Sequence, residues 1–225
     1  MPRGSKKRLT FQEIPRHSRP SWRFEEEAVC LGARTIAGVD EAGRGPLAGP
    51  VVAAALVLPR GEQIVGLNDS KLLTANQRAK LYDVLVEKAL AIGIGIVSAD
   101  KIDEINIYQA TRVAMTMAVE KLTAKPDYLL IDGPISLDLP ISQRSIIKGD
   151  RLCCSVAAAA IAAKVTRDGI MMELHEQYPQ YGFDSHKGYP TKAHKEAIKR
   201  HGSCPVHRKC FRGVREHVAA PLFQL

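Results

Sequence analysis

The sequence has few aromatic side chains and no long apolar run, and each shortage excludes a class of protein. Aromatic residues make up 5% of the 225 positions, too few to indicate a stacking platform for single-stranded nucleic acid. The longest apolar stretches, residues 51–58 and 156–163, are far shorter than the ~20 residues that cross a bilayer. Because no apolar segment follows the basic residues at the start of the chain, we expect neither a membrane protein nor a secretory signal.

Cysteine is scarce as well, with five residues in the whole chain. An odd number of cysteines in a chain with ample core argues against a disulfide framework, so we expect a reducing, cytoplasmic location. His201, Cys204, His207 and Cys210 recur every three residues. Structural zinc ligands usually come as two pairs separated by a longer loop, so we do not expect zinc at these four residues.

Acidic residues are the minority charge, and their distribution is informative. The chain has 24 acids against 32 Lys and Arg, a net charge of +8. Residues 1–34 carry eight basic and four acidic side chains, and residues 186–217 carry nine and two, which leaves −3 for the rest. Basic flanks around a mildly acidic body are typical of a protein that binds a polyanion. Residues 1–20 lack apolar periodicity, and we expect them to form a disordered basic arm.

The apolar pattern predicts an α/β fold. Strands are expected at residues 35–39, 51–58, 92–98, 128–131 and 145–147. Helices are expected at residues 24–31, 102–122, 155–178 and 192–200, and from the Thr74–Gln77 capping box to about residue 90. Two consecutive strands combined with strand–helix crossovers predict a mixed sheet packed with helices.

Acidic residues stand at the ends of three of the predicted strands. Asp40 and Glu41 follow the first, Asp132 ends the fourth, and Asp150 lies just past the fifth. Side chains at the carboxyl ends of strands converge in open α/β sheets, and hard divalent cations offset the repulsion between carboxylates. Turn formation is the alternative role for such acids. Successive strand residues point to opposite faces, so Asp40 and Glu41 can share a site only if the chain turns there.

Two divalent ions about 4 Å apart at such a site would suit phosphodiester hydrolysis. A glycine-rich loop, residues 43–50, follows the first pair of acids. It lacks the Gly-Lys-Ser/Thr of a P-loop, and Pro46 and Pro50 oppose the helix that a dinucleotide site needs. A hairpin turn is the alternative, but an arginine between two glycines also lets backbone amides and a guanidinium approach a ligand closely.

The segment GVDEAGRGPLAGPV at residues 38–51 resembles the signature of bacterial ribonuclease HII. Further matches follow in the family's order: NDSK at 68–71, IDG at 131–133, KGD at 148–150, AKVTRD at 163–168, SHKGYPT at 185–191 and CPVHR at 204–208. The resemblance covers residues 24–215. Two departures are Ala160, where the family usually has serine, and Pro134, where a polar residue is commoner.

The resemblance implies a ribonuclease H-like fold with a mixed five-stranded sheet and a small C-terminal helical extension. It implies a catalytic domain at residues 21–180 and a basic, substrate-binding extension at residues 181–225. The expected activity is two-metal hydrolysis of RNA in RNA–DNA hybrids and nicking of duplex DNA 5′ to embedded ribonucleotides, leaving 3′-hydroxyl and 5′-phosphate ends. We expect a monomer that uses Mn²⁺ or Mg²⁺.

The resemblance also assigns roles to individual residues. Four match the family's metal-binding carboxylates: Asp40, Glu41, Asp132 and Asp150. Gly43, Arg44 and Gly45 match the element that contacts the 2′-hydroxyl, the group that distinguishes RNA from DNA. Tyr189 matches a tyrosine that packs on the sugar at the RNA–DNA junction, and Lys71 is expected to bind a phosphate.

Two other functions stay open on sequence grounds. A basic RNA-binding protein without catalysis would explain the charge, but not acids at three strand ends. A nucleotide-cofactor enzyme would use the glycine loop, which its prolines disfavour. Lys164 and Asp168 lie four residues apart on one predicted helix, and we interpret them as a surface ion pair.

Overall fold

The computed structural model describes residues 19–68, 70 and 73–218. Its strands are β1 (Ile36–Ala42), β2 (Val51–Val57), β3 (Ala91–Val97), β4 (Tyr128–Asp132) and β5 (Ser142–Ile146). Its α-helices are α1 (Arg23–Cys30), α2 (Ala75–Lys88), α3 (Ala99–Glu120), α4 (Gly149–Leu152), α5 (Cys154–Gln177), α6 (Phe183–His186) and α7 (Lys192–His201). The expected N-terminal arm, residues 1–20, lies outside the described residues except for its last two positions. Lys71 also lies outside them.

The five strands form one mixed sheet in the order β3-β2-β1-β4-β5. The β3, β2 and β1 strands pair antiparallel, whereas β1, β4 and β5 run parallel. This arrangement confirms the predicted mixed α/β sheet. Because β1, β4 and β5 point the same way, their carboxyl ends, with the acidic residues, meet at one edge of the sheet.

Helices cover both faces of the sheet. Successive residues of β2 face two different apolar cores. Val51 and every second residue after it pack with α3, whereas Ala54 and Leu56 pack with α2 and α5. This alternation is the period of two that a strand imposes on its side chains. Leu85 of α2 and Ile161 of α5 are fully buried in the second core. The end of the sheet that carries the acidic residues therefore lies between packed helices.

Helix α3 departs from the uninterrupted helix that the sequence pattern predicts. It bends at Asn106, whose φ of 65° lies in the left-handed region. The Asn106 Oδ1 atom accepts hydrogen bonds from the amides of Tyr108 and Gln109, at 3.0 and 3.1 Å, and so caps the second segment. Asparagine tolerates this conformation better than most residues, which explains a break inside an amphipathic pattern.

The C-terminal helices pack directly against the glycine loop. A separate apolar cluster joins Leu47 of that loop to Met171 of α5, Phe183 of α6, Ile198 of α7 and Val214. The division of the chain near residue 180 stays a prediction, since this cluster bridges the two parts. Among the described residues, none of the helices combines the length and apolar character that a bilayer crossing requires.

Candidate active site

A cavity of about 260 Å³ opens at the carboxyl end of β1, beside the glycine loop. Its lining includes the predicted site residues Asp40, Glu41, Gly43, Arg44, Gly45, Asp132 and Tyr189. It also includes Ser70, Arg78, Ala160 and Lys164. The structure therefore brings together on one surface seven of the nine residues that the sequence nominated, from three distant segments of the chain.

Asp40 is the most deeply placed acid of this cavity, with 5% of its surface exposed. Its Oδ1 atom accepts a hydrogen bond from the amide of Glu41 at 2.6 Å. Burial raises the pKa of Asp40 well above its ordinary value of 3.8, and the negative charges of Glu41, Asp132 and Asp150 raise it further. Because the charges of three other carboxylates all act on Asp40, the four acids form one electrostatic unit.

Asp132 and Asp150 are connected through the backbone between β5 and α5. The Asp132 Oδ1 atom accepts a hydrogen bond from the amide of Gly149 at 2.6 Å. Asp150 follows in the first turn of α4 and is 3% exposed. It lies behind the cavity wall rather than on it, yet its charge reaches Asp40.

The chemistry of this donor set fits hard divalent cations. Carboxylate oxygens are the ligands that Mg²⁺ and Mn²⁺ prefer, and a cation relieves the repulsion that raises the pKa of Asp40. Within the described part of the chain, no three His, Cys, Asp or Glu side chains are already gathered in a metal-holding geometry.

The end of β1 differs from the sequence-based prediction. The strand was expected to span residues 35–39, with the two acids at its end, but it continues to Ala42. Pairing with β2 extends over this stretch, with Asp40 opposite Ala54 and Glu41 opposite Ala53. The turn falls after Ala42, and both acids border the cavity because it opens around the end of the strand.

The loop after β1 places a basic and an aromatic side chain at the cavity mouth. The Nη1 atom of Arg44 lies 3.4 Å from Oε1 of Glu41, in an ion pair whose arginine is exposed and whose carboxylate is mostly buried. Tyr189 is 42% exposed, and its ring borders Gly45. An exposed tyrosine beside a glycine leaves both a ring face and a backbone accessible to a ligand.

Two further basic residues, Lys164 and Arg78, line the cavity although the sequence did not identify them as site residues. Lys164 forms the predicted ion pair with Asp168 at 2.7 Å, and its Nζ also lies 5.9 Å from the centre of the Tyr189 ring. Arg78 donates to the carbonyl of Ser70 at 2.9 Å and so holds the segment before α2. Arg78 carries no local sequence signal, because it lies on a helix face whose pattern resembles any solvated surface, whereas Lys164 lies in the AKVTRD motif but was interpreted only as an ion-pair partner.

Solved ribonucleases H share this fold. Ribonuclease H2 from Pyrococcus horikoshii OT3 matches with a TM-score of 0.71 and 28% identity, covering 81% of this chain and 96% of that one. Bst-RNase HIII in complex with Mn²⁺ matches with a TM-score of 0.57 and 20% identity, covering 85% and 71%. The fold therefore places the chain in the ribonuclease H-like class of nucleases.

The sequence comparisons identify the family. The family described as Ribonuclease HII matches residues 37–214. Ribonuclease HII of Acetivibrio thermocellus is 54% identical over 206 residues, covering 92% of this chain and 80% of that protein. Ribonuclease HII of Geobacter sulfurreducens is 55% identical over 197 residues, covering 88% and 91%. The chain therefore belongs to the ribonuclease HII family of endoribonucleases, which act on RNA–DNA hybrids.

Proposed function

We propose that this protein hydrolyses the RNA strand of RNA–DNA hybrids and nicks duplex DNA on the 5′ side of embedded ribonucleotides. The observation that carries the proposal is the shared cavity, in which mutually repelling carboxylates lie beside a glycine loop and an exposed tyrosine. The acids fit the hydrolysis of a phosphodiester, and the loop and tyrosine fit the recognition of a sugar.

In this proposal Asp40, Glu41, Asp132 and Asp150 hold two Mn²⁺ or Mg²⁺ ions. When bound, such ions activate a water molecule and stabilise the leaving oxygen. The structural neighbour Bst-RNase HIII was solved with Mn²⁺, which agrees with this ligand chemistry. Cleavage would leave 3′-hydroxyl and 5′-phosphate ends.

The remaining site residues select the nucleotide to be cut. The backbone of Gly43, Arg44 and Gly45 would contact the 2′-hydroxyl, which is present only in RNA. The Tyr189 ring would pack on the sugar of the neighbouring deoxynucleotide, which it can reach because it is exposed. Lys71, which falls outside the described residues, would bind a nearby phosphate. We place the activity in the cytoplasm and on a monomer.

Helix α7 supplies a basic face that extends from the cavity. Lys192, Lys195 and Lys199 recur at helical spacing and line one shallow groove. Lys195 also borders a second groove together with Gly45 of the glycine loop. A duplex seated at the cavity can therefore lay its phosphates along α7.

The double variant Lys195→Gln, Lys199→Gln tests this contact. Each lysine that neutralises a phosphate contributes about 0.9 to the slope of log affinity against log salt, so we expect the slope to fall by about 2. Binding of duplex DNA is measured by fluorescence anisotropy at KCl concentrations from about 50 to about 300 mM, the range in which counterion release dominates. The control is Lys121→Gln, Lys125→Gln, which changes two lysines at and just beyond the end of α3 that line neither the grooves nor the cavity. An equal loss of slope in this control would contradict the assignment.

The proposed function is tested with two labelled substrates in Mn²⁺ or Mg²⁺: an RNA–DNA hybrid and a DNA duplex with one ribonucleotide. We expect a single nick 5′ to the ribonucleotide, with a product that a polymerase extends from its 3′-hydroxyl. An all-DNA duplex should stay intact. Binding of both substrates without any cut would favour an RNA-binding protein, and an absence of both binding and cutting would overturn the proposal.

A further inference from the structure

Two arginines are buried against the inner side of the glycine loop. Arg167 of α5 and Arg208 near the C-terminus both have 0% of their surface exposed. Their guanidinium groups donate to backbone carbonyls of the loop rather than extending into solvent. The acceptors are the carbonyls of Gly43, Arg44, Ala48, Gly49 and Pro50.

Arg208 holds the part of the loop that lines the cavity. Its Nη2 atom donates to the Gly43 carbonyl at 2.6 Å, and its Nη1 atom donates to the Arg44 carbonyl at 3.0 Å. Its Nε atom donates to the Gly49 carbonyl at 3.0 Å, so the one planar group spans both ends of the loop. The fixed fork of a guanidinium matches several carbonyls at once, which an ammonium group does not.

These bonds decide where the loop's amides point. In a trans peptide the N–H group is antiparallel to the carbonyl of the preceding residue. Since the Gly43 and Arg44 carbonyls face the buried Arg208, the amides of Arg44 and Gly45 face away from it. Neither of these amides donates a hydrogen bond to another described residue. Two adjacent N–H donors are thus presented at the wall of the cavity.

Arg167 fixes the same loop relative to the neighbouring chain segment. It donates to the Ala48 and Pro50 carbonyls, at 3.1 and 3.0 Å, and to the Lys187 carbonyl at 3.0 Å. Lys187 lies two residues before Tyr189. The second arginine therefore sets the position of the loop relative to the exposed tyrosine.

Arg208 remains charged at neutral pH in this environment. Burial and the like charge of Arg167 lower its pKa to about 9. A charged donor polarises the peptide groups that it binds, which makes their N–H groups stronger donors. The charge of Arg208 therefore strengthens the same two amide donors, those of Arg44 and Gly45, that its guanidinium geometry orients.

We propose that Arg208 is a positioning residue for ribose recognition, which orients the Arg44 and Gly45 amides toward the 2′-hydroxyl through the carbonyls of Gly43 and Arg44. The inference rests on the proposed function, because it supplies the geometry for selecting RNA at that site. It assigns the C-terminal segment a role beyond contact with the duplex backbone: it completes the part of the site that reads the sugar.

The test uses the full-length Arg208→Lys variant, which keeps the charge and loses the fork. We expect kcat/KM for a DNA duplex with one ribonucleotide to fall by about 10²-fold. Affinity for an all-DNA duplex should stay within about twofold, since phosphate contacts dominate it. The NMR order parameters of the Arg44 and Gly45 amides should fall from about 0.85 toward about 0.6. Arg60→Lys is the matched control, because Arg60 also donates to two loop carbonyls, those of Ala33 and Arg34.

A second measurement uses the wild-type protein and does not depend on the variant folding. The amide signals of Arg44 and Gly45 should shift on addition of a ribonucleotide-containing duplex and shift less with an all-DNA duplex. Equal shifts would overturn the inference, as would a folded Arg208→Lys variant with wild-type kinetics and order parameters. If the wild type cuts neither ribonucleotide substrate, the proposed function fails, whereas wild-type cutting with no effect of Arg208→Lys removes this inference alone.

Discussion

The Asp40→Asn variant is expected to lose activity and gain stability. A bound cation stabilises the transition state by several kcal/mol, and the variant lacks a carboxylate oxygen that would bind it. We therefore expect the rate of cleavage to fall by about 10³-fold or more. Removing a buried charge that repels three neighbouring carboxylates should stabilise the metal-free fold by about 1–2 kcal/mol. For a chain of this size, each kcal/mol corresponds to ~2–4 °C in Tm.

The pH dependence of this gain follows from the raised pKa of Asp40. The unfolded chain releases the proton near the ordinary value of 3.8, whereas the folded protein holds it to a higher pH. The folded state therefore binds more protons in this interval, and its stability falls as pH rises through it. The asparagine side chain of the variant cannot ionise, so the Tm difference between variant and wild type should widen as pH rises from the ordinary value of 3.8 toward the raised pKa of Asp40.

Differential scanning calorimetry in EDTA measures the stability, and nicking assays in Mn²⁺ measure the activity. The matched control is Glu104→Gln, which removes an exposed carboxylate of α3 that pairs with Lys101. It should leave both quantities unchanged. Added Mg²⁺ should raise the Tm of the wild type more than that of Asp40→Asn. An Asp40→Asn protein that is less stable than the wild type at about pH 8, or that cleaves normally, would contradict the site assignment.

Alanine at Gly45 should lower kcat/KM for the ribonucleotide substrate, whereas alanine at Gly43 should destabilise the fold. Gly45 has a φ outside the left-handed region, and a Cβ there would meet only Cε1 of Tyr189, at 3.9 Å. The protein itself therefore accepts alanine, and the extra methyl would instead meet an approaching sugar. We expect kcat/KM for the ribonucleotide substrate to fall by about 10²-fold, with a change in stability below about 0.5 kcal/mol.

Gly43 differs from Gly45 in both conformation and surroundings. Its φ is +96°, and an added Cβ would lie 2.0 Å from Nε of Arg167 and 2.9 Å from the Pro50 carbonyl. Arg167 is bonded to that same carbonyl and cannot swing away freely. Gly43→Ala should therefore cost about 1–3 kcal/mol, seen as a lower Tm. A Gly45→Ala protein that unfolds like Gly43→Ala would show that Gly45 serves packing rather than access.

The fold was largely predictable because most of its signals are local. The Thr74–Gln77 capping box forms as expected and begins α2. The extent of β1 was not predictable, since acidic residues disfavour strands and only pairing with β2 keeps Asp40 and Glu41 extended. The bend at Asn106 was hidden for a similar reason, because the apolar period continues across it.

The residues of the candidate site likewise divide into those that the sequence could identify and those that it could not. Acids at predicted strand ends stand out from apolar neighbours, so Asp132 was identifiable before its surroundings were known. Arg208 was not, because arginines are mostly exposed and this one lies in a segment whose charge indicated nucleic-acid contact. Its partners are 158 to 165 residues away in the chain. Only the assembled structure shows that its charge is turned inward.

The joining of the glycine loop to the C-terminal segment has a consequence for biosynthesis. Ala48 pairs with His207 in an isolated bridge, and the amide of Gly49 donates to the carbonyl of Val206 at 2.8 Å. Contacts of such long sequence separation form late in folding, because a large loop must close first. A nascent chain can pair β1 with β2 early, but the Gly43 and Arg44 carbonyls lack their arginine donor until Arg208 has left the ribosome. If the loop reads the ribose as proposed, the ability to discriminate ribose from deoxyribose is therefore acquired only after Arg208 has been synthesised and has folded against the loop.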